Sequence, residues 1–173
     1  MKKPIPWEQV LSELTDGNSK NFSIFAHDVA KSLLGFCSAI LDDPSEAEDV
    51  VQETLVKVYF KSHQYKKGAS VKTWIFTIAR NACTDRLRKY QPEALNEQDW
   101  EQLVESEINI DIDLSDIDHL LGKLNIQQKE VVYLRHHRSF EFEQIAHITG
   151  EKLSTVKMRY KRTVEKLSQL AGC

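Results

Sequence analysis

Residues 91–118 carry ten acids and no Lys or Arg, between blocks that are both basic. Residues 61–90 hold eight basic side chains against one acid, and residues 119–173 hold ten against five. Residues 1–60 lean the other way, with five basic and ten acidic. A stretch that opens at Pro92 and repels itself throughout reads as a tether rather than a folded domain. The 173 residues are therefore expected to divide into two small modules, residues 1–90 and 118–173, joined by an acidic linker over 91–117. A formal net charge of −3 conceals two positive surfaces, the arrangement of a protein that touches a polyanion at two places.

Hydrophobic periodicity makes nearly every segment outside the linker helical, so the fold class expected is all-α. In "DDPSEAEDVVQETLVKVYF", Asp43 serves as N-cap, Pro44 takes the first helical position and Glu46 stands three residues after the cap. Ala47, Val50, Val51, Leu55, Val58 and Tyr59 then recur at helical spacing. "FAHDVAKSLLGFCSAIL" carries a similar stripe upstream. "VKTWIFTIARNACTDRLRK" supplies a further helix after the loop "QYKKGAS", which Gly68 breaks. Three or more such helices within residues 20–90 make a bundle.

The last block resumes with Leu120, Leu121 and Leu124, then Val131, Val132 and Leu134. "FEQIAHITGEKLSTVKMRYKRTVEKL" has the order short helix, turn at Gly150, then a helix capped by Ser154, which is a helix-turn-helix. At 100° per residue, Val156, Tyr160, Thr163, Val164 and Leu167 fall on one side and face the core. The other side carries Met158, Lys161 and Arg162, flanked by Thr155, Lys157 and Arg159. Charged residues on an outer face are usually only solvated. Here five of the residues from 157 to 166 are basic and Glu165 alone is acidic, which favours a face that reads DNA.

Other classes fit less well. No unbroken apolar run approaches the roughly 20 residues of a membrane-spanning helix. "MKKPIPWEQV" has no apolar core segment and is not a secretory signal, so a cytoplasmic protein without membrane association is expected. Cys37, Cys83 and Cys173 form no CxxC pair, which argues against a disulfide framework and a thiolate zinc site, and the first two read as buried thiols. His136 and His137 point about 100° apart on a helix and do not readily share one ion. A nuclease metal held by Glu46, Asp49 and Glu53 lacks further ligands at suggestive spacing, so neither an enzyme nor a cofactor is expected.

Four segments in this order, "DPSEAEDVVQETLVKVY", "TWIFTIARNACTDRLRK", "LNIQQKEVVYLRHHRSFEFEQIA" and "STVKMRYKRTVEKL", resemble the extracytoplasmic-function sigma factors of bacterial RNA polymerase, over about residues 20–170. The resemblance implies a factor that binds core polymerase through its β′ coiled coil and β flap, recognises the −10 and −35 promoter elements and helps to melt the DNA. Relatives are commonly held by an anti-sigma factor. Glu48, Asp49, Gln52 and Glu53 would contact the coiled coil, with Val56 and Phe60 as an apolar patch beside them.

For the −10 element the resemblance implies Lys66, Lys67, Gly68, Ala69, Ser70 and Lys72 in and beside the loop, and Arg80, Asn81, Arg86 and Arg88 on the following helix. Strand opening needs cations that track phosphates together with surfaces for unstacked bases. Trp74 and Phe76 are more commonly core than stacking platforms at such spacing, and Trp74 is expected to be at least partly buried. For the −35 element the matched residues are Ser154, Thr155, Lys157, Met158, Arg159, Lys161 and Arg162. The turn "GEKLSTV" departs from the pattern of many relatives. The alternative is a helix-turn-helix regulator that acts without polymerase, but a simple regulator has no need of the second basic block. In the linker, Ile108, Ile110, Ile112 and Leu114 alternate with polar residues, as an extended strand with one apolar face would.

Overall fold

The computed structural model describes residues 5–95 and 117–172; the alternating segment at residues 108–114 lies outside them. No strand occurs among the described residues. The chain separates into two compact units, Met1–Asp85 and Arg86–Cys173.

In the first unit, α1 (Trp7–Thr15), α2 (Phe22–Leu41), α3 (Pro44–Lys61) and the start of α4 (Val71–Tyr90) form the bundle, with a 3-10 turn at Ser62–Gln64. Two adjacent aspartates make the joint between α2 and α3. Asp42 ends α2 in the left-handed region, φ 55°, which Asp tolerates better than most residues. Asp43 then caps α3, its Oδ1 accepting the Ser45 N–H at 2.9 Å and the Glu46 N–H at 3.3 Å, with Pro44 at the first helical position as expected.

Helix α3 buries Ala47, Val50, Val51 and Val58. Three positions differ from the expected stripe, the first being Leu55, which is only half-buried beside the buried Thr54. Thr54 is fully buried, its hydroxyl donating to the Val50 carbonyl at 2.7 Å, because it lies one turn from both Val50 and Val58. Tyr59 is 39% exposed and meets Phe22 edge-on with ring centroids 5.0 Å apart.

By length and composition α2 is apolar enough to cross a membrane, although His27, Asp28 and Lys31 interrupt its apolar run. It buries Phe25, Val29, Leu33, Phe36, Cys37, Ile40 and Leu41 in the bundle, which accounts for that composition. Phe36 and Phe76 pack at 5.5 Å, and Cys37 and Cys83 are buried, as expected of both thiols. Phe76 is therefore core, while Trp74 is half-buried.

The second unit comprises α5 (Ile117–Leu121), α6 (Ile126–Val132), a π turn at Tyr133–His137, α7 (Phe142–Thr149) and α8 (Leu153–Leu170). A reciprocal capping box starts α6: Gln128 N–H donates to Asn125 Oδ1 at 2.9 Å, and Asn125 N–H to Gln128 Oε1 at 3.2 Å. The core joins Leu124, Val131, Val132 and Leu134 to Ile145 and Ile148 of α7 and to Val156, Tyr160, Thr163, Val164 and Leu167 of α8. The stripe expected on α8 is thus the buried one.

Gly150 ends α7 at φ 73°, where an L side chain is strained, and lets the chain turn into α8. Lys152 rather than Ser154 occupies the N-cap of α8 and gives no side-chain cap bond, so the helix begins one residue before the expected cap.

Candidate polymerase- and DNA-binding surfaces

On α3, the face opposite the buried stripe exposes Glu48, Asp49 and Gln52. Glu53 is half-buried and pairs with Lys57 at 2.6 Å. Val56 and Phe60 lie further along at 56% and 70% exposure, so acids and uncovered apolar side chains share one helix. An aromatic series extends the apolar part, Phe22 against Tyr59 and Tyr59 against Phe60, with centroids 5.0 and 5.3 Å apart. Apolar area left in water at this density favours a partner surface.

In the loop before α4, Lys66, Lys67, Gly68, Ala69 and Lys72 are exposed, and Gly68 adopts φ 97°. Ser70 is half-buried and holds the start of α4, its Oγ accepting the Thr73 N–H at 3.2 Å and its carbonyl the Trp74 N–H at 3.0 Å. The Tyr65 hydroxyl donates to the Ala69 carbonyl, and the Tyr65 ring packs on Trp74 at 5.7 Å. Lys72 Nζ sits 5.8 Å over the Trp7 ring. On α4 itself Asn81 and Arg88 are exposed, and Arg80 and Arg86 are half-buried.

On α8, Ser154 and Lys157 are exposed, and Thr155, Met158, Lys161 and Arg162 are half-buried. Arg159 departs from the expected face. It is only 3% exposed and its Nη1 contacts Glu151 Oε2 in the turn before α8, so its charge is committed inside this unit. The reason is angular: residue 159 lies three after Val156 and four before Thr163, within the buried stripe.

Beside α8, the π turn brings His136 Nε2 within 2.8 Å of the Tyr160 hydroxyl, and His137 stacks on Tyr133 with centroids 4.4 Å apart. Burial, aided by the charge of Arg135 and the neighbouring His137, pushes the His136 pKa below the usual histidine value. A neutral ring can accept a hydrogen bond from the Tyr160 hydroxyl in the tautomer protonated at Nδ1, and burial raises the pKa of the Tyr160 phenol. Arg135 bridges to α7, donating to the Phe140 carbonyl at 3.0 Å and to Glu141 at 3.1 Å while lying over the Phe142 ring. Among the described residues no group of His, Cys, Asp and Glu is arranged to hold a metal ion.

The sigma-70 region 2 family profile matches residues 19–93, and the sigma-70 region 4 profile matches residues 120–169. The RNA polymerase sigma factor SigL of Mycobacterium tuberculosis is 30% identical over 146 residues, covering 80% of this chain and 81% of SigL. RpoE of Cereibacter sphaeroides is 29% identical over 155 residues, covering 84% of this chain and 83% of RpoE. Among solved structures, RpoE of Bartonella quintana, crystallised with the anti-sigma factor NepR, aligns with a TM-score of 0.68 and 28% identity, over 88% of this chain and 98% of that one. CnrH, in complex with the cytosolic domain of CnrY, shares the fold with a TM-score of 0.71 and 21% identity, over 95% of this chain and 96% of that one. The matched profiles and relatives are those of a DNA-binding transcription initiation factor. The chain belongs to the extracytoplasmic-function sigma factors of RNA polymerase.

Proposed function

We propose that this sigma factor binds the β′ coiled coil of core RNA polymerase through α3 and also contacts the β flap of polymerase, engages the −10 element through residues 66–72 and α4, and engages the −35 element through α8. The observation that carries the reading is the α8 face. Lys157, Met158, Lys161 and Arg162 remain at least partly accessible on the second helix of a helix-turn-helix, while five other side chains of that helix fill the core. An Arg or Lys fork suits guanine edges, and further cations suit phosphates. Arg159 is left out of the proposed reading face because it is buried against Glu151.

The factor supplies recognition and strand separation, and polymerase supplies the chemistry; no catalytic step or cofactor is assigned to this chain. Its working compartment is the cytoplasm, where its DNA lies. Functional boundaries follow the charge blocks, at residues 1–90, 91–117 and 118–173. An anti-sigma protein is a further proposed partner, in keeping with the complex of the similar RpoE with the anti-sigma factor NepR.

The test is core binding together with permanganate reactivity of thymines on promoter DNA. The reading expects tight binding to core and reactive thymines only when chain and core are both present. Reactivity that needs neither would contradict it.

A further inference from the structure

The family profile for the first unit begins at residue 19, so α1 lies outside it. Yet α1 packs against the 3-10 turn Ser62–Gln64, which leads into the basic loop. Its first residue, Trp7, packs in a T-shaped contact with Phe25 of α2, with centroids 5.7 Å apart and planes at 79°. Lys72 Nζ lies over the same ring, 5.8 Å from the centroid, on a residue that stays exposed.

A ring face attracts an ammonium through its quadrupole and accepts no conventional hydrogen bond, so the N–H donors of Lys72 keep their capacity for phosphate oxygens. The other side of the loop is held as well. Tyr65 closes it by donating to the Ala69 carbonyl and rests on Trp74. Burial and the nearby Glu8 of α1 raise the Tyr65 pKa, which keeps its hydroxyl a donor.

A lysine on a four-carbon stem loses rotamer freedom whenever it settles on a phosphate. Where an aromatic face already restrains the stem, that loss is smaller on binding.

We propose that Trp7 is a positioning residue for DNA: its ring holds the Lys72 ammonium in place for a backbone phosphate of the separated strand. The inference rests on the assignment of Lys72 to DNA in the reading above. Phosphate contacts carry no sequence information, so a labelled mixed-sequence DNA single strand is a sufficient probe for the full-length chain.

Binding is followed by anisotropy as salt is raised, for the parent chain, Lys72→Ala, Trp7→Leu, Trp7→Phe and the Lys72→Ala/Trp7→Leu double variant. Leucine keeps apolar packing against Phe25 and removes the ring face. Trp7→Leu is expected to weaken binding about two- to fivefold, the range of a surface cation–π contact. Trp7→Phe is expected to restore most of that loss. The double variant should bind no worse than Lys72→Ala alone, because the two residues act as one unit. Lys72→Ala should also lower the steepness of the log–log salt dependence by about 0.7, one single-strand phosphate contact, whereas Trp7→Leu retains the charge and leaves it unchanged.

If Lys72→Ala weakens binding and Trp7→Leu does not, or if the two losses simply multiply, the positioning role is wrong and the DNA assignment of Lys72 stands. If the parent chain does not bind, or Lys72→Ala has no effect, the DNA assignment fails and the inference fails with it.

Discussion

Met158 brings a flexible thioether to a face otherwise made of Lys157, Lys161 and Arg162. It has no donor for a base edge, and its natural partner in the major groove is the thymine methyl group. On the −35 element, replacing thymine by deoxyuridine is expected to weaken holoenzyme binding severalfold at one position. Met158→Ser should abolish that difference, and equal sensitivity in both proteins would contradict the contact. Arg159 has a different task. Removing one partner of a buried ion pair strands the other, so Arg159→Ala should destabilise the second unit by about 3 kcal/mol, read as lost stability in urea unfolding. Arg162→Ala should instead cost about 1–3 kcal/mol at a single base pair and little in folding.

His136 links the same helix to pH. Its folded pKa lies below its unfolded value, so the unfolded chain takes up the proton first and stability falls as pH drops through and below about 6.5. His136→Gln should flatten the dependence of the thermal midpoint between neutral and mildly acid pH, which a pH series of melting curves reads directly.

At the scale of the element, the proposed docking role of α3 is separable from its folding role. Its buried side chains hold the bundle, while Asp49 is exposed and Glu53 makes a partly exposed pair with Lys57, worth less than about 1 kcal/mol. The double change of Asp49 and Glu53 to Ala should therefore leave the melting midpoint nearly unchanged and weaken binding to core polymerase. Unaltered affinity in a titration of labelled core would contradict the docking role.

The helix itself was legible in advance because its signals are local: an Asp cap, a Pro at the first position and apolar spacing. The stripe of α8 was legible for the same reason. Arg159 could have been read too, since it stands one turn from both Val156 and Thr163, but its basic character argued for the outside. Helix α1 lay outside the segments expected to be helical, although Trp7, Val10, Leu11 and Leu14 have helical spacing behind Pro6. The Trp7–Lys72 and His136–Tyr160 contacts join residues far apart in sequence, and no local pattern encodes them.

At the scale of the whole molecule, charge carries the division of labour: an acidic block containing the α3 face, two basic blocks and an acidic connection between them. Two positive surfaces on one chain suit two unlike DNA elements read by a monomer, whereas a dimeric regulator presents the same surface twice to a two-fold operator. The decisive measurement is transcription by purified core polymerase on fragmented genomic DNA, with and without this chain, with the 5′ ends of the transcripts sequenced. The account predicts new start sites that appear only when chain and core are combined, preceded by two dissimilar short motifs at a constant spacing. Start sites identical to those of core alone, or a single two-fold symmetric motif bound without polymerase, would contradict it.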